Sequence, residues 1–309
     1  MSSVDIGRQQ PVPGIFQPRT IVTAILAAAF IILMLSATAY AAHAGPRGAK
    51  PARPGTALRV CADPNDLPFS NQARQGFENK LADMVGKALG EYVEYDWWPQ
   101  RQQFLRHTLD AYQCDVVMGW ATGSDKVLTT EPYYRSAYAL VYRQSAPYNI
   151  RSLDSPLLRK LEIGVHSIGD DWADLPGGAV LAKRGIVRNV HVYTLYQNYS
   201  RPNPSSDLIK AVADGDVDVA IAWGPLAGYF APRQKVKLKV VPLAHTHAIL
   251  SFQFSISMAV RKGDTRLLGK LNRFLQQHRK AIHALLVSYN VPLLPLNEAQ
   301  QPPKVATAQ

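Results

Sequence analysis

Cysteine is scarce in this chain, with two in 309 residues. That excludes a small disulfide-framework fold and a four-cysteine zinc site. Charged residues make up only 18% of the chain against 47% hydrophobic ones, a balance that excludes a disordered protein. Acidic residues are the scarcer sign, 23 against 34 Lys and Arg. The resulting formal charge of +11 admits nucleic acid, an anionic membrane or an acidic protein as partner. There is no fixed-period repeat and no long low-complexity segment.

One long stretch has no charge at all. Arg8 and Arg19 precede residues 20–46, which contain no Lys, Arg, Asp or Glu. The most apolar part, 21–35, leads into Ser36, Ala37, Thr38 and Ala39. A basic start, an apolar core and a small-residue end describe a secretory signal peptide over residues 1–44, with cuts fitting after Ala39 or Ala44. An uncleaved membrane anchor is the alternative, because about 20 apolar residues span a bilayer. Either way the remainder is exported, and a charge of +10 remains beyond residue 44 once Arg8, Arg19 and Asp5 are set aside. Residues 45–56 alternate Pro with Arg and Lys and read as a flexible basic linker, and residues 293–309 read as a tail.

About 240 residues lie between, enough for two lobes of ordinary size. Residues 58–62 form a β-rich run ending in the turn cluster Asp63-Pro64-Asn65-Asp66. Phe77, Leu81, Met84, Val85, Ala88 and Leu89 then fall on one helical face, closed by Gly90. A strand at 93–98 follows, then an amphipathic helix carrying Phe104, Leu105, Thr108, Leu109 and Tyr112, then a strand at 114–119. Alternation of this length implies a parallel sheet with right-handed crossovers. A long strand at 136–143 leads into a second series: strands at 161–165, 190–194 and 217–222, with helices near 172–184 and 207–213. A strand at 252–260 returns the chain, and 265–289 is helical. The expected fold is therefore α/β with two lobes, each a mainly parallel sheet flanked by helices, joined by two crossing strands. Lobe 1 comprises 57–143 and 255–292, and lobe 2 comprises 144–254. Ligands in such folds sit at the carboxyl ends of strands, in the cleft between lobes.

This order and spacing resembles type II periplasmic solute-binding proteins over nearly the whole exported chain. Five segments are similar, more narrowly, to the solute-binding-protein-like accessory factors associated with PQQ-dependent methanol dehydrogenases. They are Arg59-Val60-Cys61-Ala62-Asp63-Pro64 with Leu67-Pro68-Phe69-Ser70, Gly76-Phe77-Glu78-Asn79, Trp97-Trp98-Pro99-Gln100-Arg101, Cys114-Asp115-Val116-Val117-Met118-Gly119, and Thr129-Thr130-Glu131-Pro132-Tyr133-Tyr134-Arg135-Ser136. The resemblance implies a non-catalytic role in methanol or alcohol oxidation through the dehydrogenase. An ABC-importer receptor for an aromatic or planar molecule, delivering to a permease, is the alternative it leaves open.

In amino-acid-binding relatives an arginine after the third strand pairs with the ligand carboxylate, and a second-lobe aspartate holds the amine. Here the corresponding stretch reads Thr122-Gly123-Ser124-Asp125-Lys126, and Trp223 follows the strand that often ends in the acidic residue. Asp170 is expected to cap a second-lobe helix, placing a carboxylate where a ligand anion would sit. The cleft candidates are Asp63, Phe69, Trp98, Arg101, Trp120, Tyr133, Trp172 and Trp223. Rings of this kind offer area for a planar ligand or a partner loop, and equally well fill lobe cores.

With the usual 2-1-3 strand order, Cys61 and Cys114 lie on neighbouring strands in an oxidising compartment. Their stagger relative to the strand ends opposes a bond, so a disulfide and two buried thiols both stand. His245 and His247 lack a third ligand, and the Asp63/Asp66 loop reads as a turn before it reads as a Ca²⁺ site. No metal and no cofactor is expected. Glu78, Glu94 and Glu131 are candidate acid–base groups, but no nucleophile–base–orienter set accompanies them, and Glu78 opens a helix where a carboxylate is stabilising without chemistry. Lys235, Lys237 and Lys239 alternate as on one face of an edge strand. Arg266, Lys270 and Arg273 form a helical stripe, either a solvated face or a docking surface for an acidic partner. Export and the lack of a nucleic-acid motif disfavour nucleic acid, leaving membrane contact only through an uncleaved signal segment.

Overall fold

A computed structural model describes residues 57–167, 176–194, 199–243 and 251–296. The signal segment, the linker, Asp170, Trp172, His245, His247 and the tail beyond 296 lie outside the described residues.

Strand β1 (Ala57–Ala62) is buried on both faces. Leu58, Val60 and Ala62 face helix α1 (Phe77–Leu89), while Cys61 turns to the opposite layer. Such two-sided burial marks a central strand of an α/β sheet. β2 (Tyr92–Trp97) and β3 (Val116–Ala121) flank β1 in parallel, giving the expected 2-1-3 order. α1 buries Phe77, Leu81, Ala82 and Val85 and ends at Gly90, whose φ of 70° a residue without Cβ adopts freely.

β4 (Tyr134–Arg143) is the long crossing strand. Its first residues pair antiparallel with the returning strand β9 (Gln253–Val260). Its later residues pair with β7 (Val219–Trp223) on one side and β8 (Leu238–Pro242) on the other. β7 and β6 (Val190–Thr194) run parallel to β5 (Ile163–Ser167), one on each side, with helices α3 (Pro176–Lys183), α4 (Asp207–Asp214) and α5 (Gly224–Phe230) between strands. The continuous order is β2-β1-β3-β9-β4-β7-β5-β6, with β8 beside β4. α6 (Thr265–Ser288) closes the chain onto the first lobe, burying Leu271, Phe274, Leu275, Ile282 and Leu286 against the β1–α1 core. This is the two-lobe type II binding-protein architecture.

Several local expectations shift. The helix expected through Tyr112 is a single turn, α2 (Phe104–His107). Thr108 Oγ1 donates to the Phe104 carbonyl at 2.7 Å, Tyr112 adopts φ 57°, and Arg261 donates to the Leu109 carbonyl at 3.2 Å, so the chain turns instead of continuing. The lysine alternation is not one strand face. β8 starts only at Leu238, after a turn, so Lys235 and Lys237 precede it. Lys239 reaches Asn149 Oδ1 at 2.9 Å and lies over the Tyr142 ring.

Cys61 and Cys114 are joined in a disulfide with Cα atoms 5.3 Å apart. The stagger is real, since Cys61 lies opposite Val117. Cys114, however, lies just ahead of β3, in a loop folded back by the Arg261–Asp115–Arg59 ion pairs at 2.7 Å. Closing a loop of 53 residues restricts the unfolded chain. Replacing both cysteines with serine is expected to cost about 2–4 kcal/mol, read as a lower urea midpoint, with a larger m-value because the released chain exposes more surface when unfolded.

Candidate functional site

The cleft is built from the loops at the carboxyl ends of β1, β3, β5 and β7. Its cavity, about 370 Å³, is lined by Asp66, Phe69, Glu78, Gln100, Trp120, Tyr134, Tyr138, His166, Trp223 and Phe254, among others. That size suits a small molecule.

The first wall starts at Asp63, which ends β1 and is 1% exposed. Its carboxylate accepts from Asn65 N at 2.8 Å, Gln100 N at 2.7 Å and the Tyr199 hydroxyl at 2.7 Å. Burial raises its pKa, and those three bonds together with nearby Arg101 oppose the rise. Tyr199 belongs to the second lobe, and more bonds run alongside. Asn65 Nδ2 donates to the Arg201 carbonyl at 2.7 Å, Asn203 N donates to Asn65 Oδ1 at 2.9 Å, and Ser205 Oγ donates to the Leu67 carbonyl at 3.1 Å. The turn after β1 is thereby pinned to segment 199–205.

The floor is acidic. The turn at 68–69 supplies carbonyls to the first turn of α1, with Phe77 N bonding Pro68 O at 2.8 Å and Glu78 N bonding Phe69 O at 3.0 Å. Gly76 is required there, because any Cβ would meet the Phe69 carbonyl. This entry angle aims Glu78 into the cavity, against the bare Cα of Gly119, where a side chain would collide with the carboxyl group. Burial first, then the charge of Asp63, pushes the Glu78 pKa up to about 8. Asp66 is also fully buried and raised well above the usual range, by burial and then by Asp63 and Glu78. His166, at the end of β5, is held neutral: burial lowers its pKa to about 3 against the opposing pull of a hydrogen bond to the Ser205 backbone. Its Nε2 has no hydrogen-bond partner among the described residues.

The opposite wall is aromatic. Tyr138, Trp223 and Phe254 pack mutually, with ring centroids 5.3 to 6.3 Å apart. The Trp223 side chain also hydrogen-bonds Tyr134.

Among the sequence candidates, Phe69, Trp120 and Trp223 line the cavity. Asp63 adjoins it as the pinning carboxylate, and Arg101 is exposed close to Asp63. Trp98 turns away, stacking on His107 at 4.5 Å and packing on the disulfide layer. Tyr133 is buried in the first-lobe core, and its neighbour Tyr134 lines the cleft. The docking stripe also divides. Arg266 and Arg273 are exposed, but Lys270 is half-buried and bonds Glu91 Oε1 at 3.2 Å, tying α6 to the residue after Gly90. Glu78 stands in the first turn of α1 as expected, and it is in addition buried and faces the cavity. Gln100, Tyr138, His166, Tyr199 and Phe254 belong to the site without having stood out in the sequence, and Asp66, weighed there as a turn or cation residue, is a cavity acid. Among the described residues no His, Cys, Asp or Glu group of three is arranged to hold a metal ion.

A two-lobe α/β fold with a cavity at the carboxyl ends of its strands is the class this geometry defines. Residues 58–289 match the family of bacterial extracellular solute-binding proteins, family 3, and the chain belongs to it. It is 30% identical over 297 residues to Protein MoxJ of Methylorubrum extorquens, covering 88% of this chain and 96% of that protein. The crystal structure of periplasmic binding protein XoxJ from Methylobacterium extorquens AM1 is similar at 35% identity and TM-score 0.64, over 77% of this chain and 99% of that one. MxaJ from Methlophaga aminisulfidivorans MPT is similar at 26% identity and TM-score 0.64, over 77% and 100%.

Glu78 gives the cleft a pH signature. Its folded pKa near 8 lies above the ordinary 4.5, so the folded state keeps a proton that the unfolded chain releases. The associated stability is complete below pH ~4.5 and is lost as pH rises through about 8. Glu78→Gln mimics the protonated form. It is expected to leave the melting temperature nearly unchanged at pH 5 and to raise it at pH 8.5, as checked by calorimetry across that range.

Proposed function

We propose that this chain is a periplasmic, non-catalytic accessory protein of a PQQ-dependent methanol dehydrogenase, delivered by its N-terminal export segment and acting by protein–protein recognition. The relationship to MoxJ across 88% of the chain carries this reading. The five family-like segments support it, as does a cleft whose described lining residues include no Lys or Arg to clamp an amino-acid carboxylate. The surface supports an acidic partner. Arg266 and Arg273 project from α6 as exposed cations, and a second groove beside α6 combines Arg279 and Lys280 with Leu275, Leu286, Leu293 and Leu294. Native mass spectrometry with the dehydrogenase at low salt is expected to show a complex. Arg266→Glu combined with Arg273→Glu is expected to weaken it about tenfold or more, mainly through the association rate. No complex at micromolar concentration overturns the reading.

A receptor for an ABC importer is the second reading, favoured by the aromatic cavity itself. Saturable ligand stabilisation without dehydrogenase binding is the outcome that selects it.

A further inference from the structure

We propose that the cleft binds a protonated organic amine with an apolar or aromatic body and no carboxylate. The proposal requires that the cleft be a ligand site and is independent of docking to any dehydrogenase.

The polar groups that converge there are acids and an amide, and a carboxyl group that donates while it holds its proton becomes acceptor-only once ionised. Glu78 and Asp66 contribute carboxyl groups, and Gln100, whose Nε2 lies 3.4 Å from the Gly119 carbonyl, keeps its amide oxygen. His166 is the independent pointer. It is 4% exposed, lines the cavity and holds one ring nitrogen to the Ser205 backbone, leaving Nε2 without a partner among the described residues. A neutral imidazole whose N–H is spent on the backbone presents a lone pair at its other nitrogen. A buried acceptor of that kind calls for a donor, and an ammonium group brings donors with no acceptor capacity. Among the described residues no lining residue is Lys or Arg, so none of them repels a cation or neutralises an anion. Tyr138, Trp223 and Phe254 supply faces for the apolar body and for cation–π contact. An α-amino acid presents the same ammonium, but its carboxylate meets Asp66 and Glu78 without a counter-cation.

Binding is linked to protons. Glu78 faces Asp63 and Asp66 from the turn after β1, Tyr133 just ahead of β4, Tyr134 at its start, and His166 across the cavity, while Arg101 lies near Asp63. The one cation among these is outside the lining, so Glu78 keeps its proton up to about pH 8. An arriving ammonium converts the carboxylic acid to carboxylate, and the displaced proton goes to buffer. Affinity therefore rises with pH towards 8, by up to about tenfold per unit for one linked proton.

The test is titration calorimetry with the purified protein, read alongside tryptophan fluorescence from Trp120 and Trp223. The probes are phenethylamine, phenylalanine, 3-phenylpropionate and calcium chloride. Phenethylamine is expected to bind saturably and at least tenfold tighter than phenylalanine, with proton release seen as a buffer-dependent heat and with no binding of 3-phenylpropionate. Glu78→Gln is expected to weaken phenethylamine at least tenfold and abolish the proton release, and Asp66→Asn to weaken it similarly. Tighter binding of 3-phenylpropionate or calcium overturns the amine assignment but leaves the cleft a ligand site. Binding of none of the four overturns both. Phenethylamine binding unaffected by Glu78→Gln overturns the role of the acidic floor. Proton release by the wild-type protein is measured separately, so the acidic floor is tested even if a variant fails to fold.

Discussion

A buried carboxylate at the end of β1 governs how the two lobes meet. Asp63 costs several kcal/mol to desolvate, and it is retained in the fold because three donors from three segments satisfy it. Asn65 N fixes the turn, Gln100 N fixes the loop after β2, and the Tyr199 hydroxyl arrives from the second lobe. A charge that needs all three donors disfavours any arrangement that separates them. The neighbouring bonds of Asn65 and Ser205 extend the same seam. Tyr199 responds in kind, its own ionisation suppressed by burial and by the Asp63 charge beside it.

The seam has a consequence one layer deeper. Holding the turn 63–69 in place presents two carbonyls to the start of α1, and those bonds direct Glu78 inward instead of along the surface. Asp63 also makes it harder for Asp66 and Glu78 to ionise. One satisfied charge therefore sets two buried acids of raised pKa beside an aromatic wall. The constraint that closes the lobes and the chemistry of the cavity have the same origin.

The elements legible in the sequence are those that rest on local periodicity. α1 is legible up to its closing glycine because its apolar face and Gly90 are local signals, and the central strands are legible because burial on both sides leaves near-continuous apolar runs. Boundaries move where polar residues ahead of a strand pair with a neighbour, as Asp115 N does with the Arg59 carbonyl. The cavity is legible only in part. Phe69, Trp120 and Trp223 stand out because they follow strand ends, whereas Trp98 and Tyr133 obey the same rule yet face the core, since the face depends on register. Glu78 escapes because the helix-end rule is local, while its pocket is made by Gly119 and Tyr134 from other strands. His166 sits inside an apolar strand, where alternation says only that it is buried. Lys270 belongs to the helical stripe by spacing, but Glu91, far away in sequence, claims it.

The charge of the chain and the charge of its cleft have opposite sign, and they act over different distances. The surplus of 34 basic over 23 acidic residues sets a positive field at the surface, screened beyond about 8–10 Å at physiological salt. Such a field steers acidic partners and slightly opposes a cation approaching from afar. Inside the cavity, screening is weak and the nearest groups decide, and those are the carboxyl groups of Asp66 and Glu78, whose ionisation burial and the charge of Asp63 oppose. A protein-sized anion is too large for about 370 Å³, and a small cation gains nothing from exposed cations such as Arg266 and Arg273. A basic outer surface and an acidic cavity therefore favour molecules of different size by the same electrostatics, and an occupant of one leaves the other open.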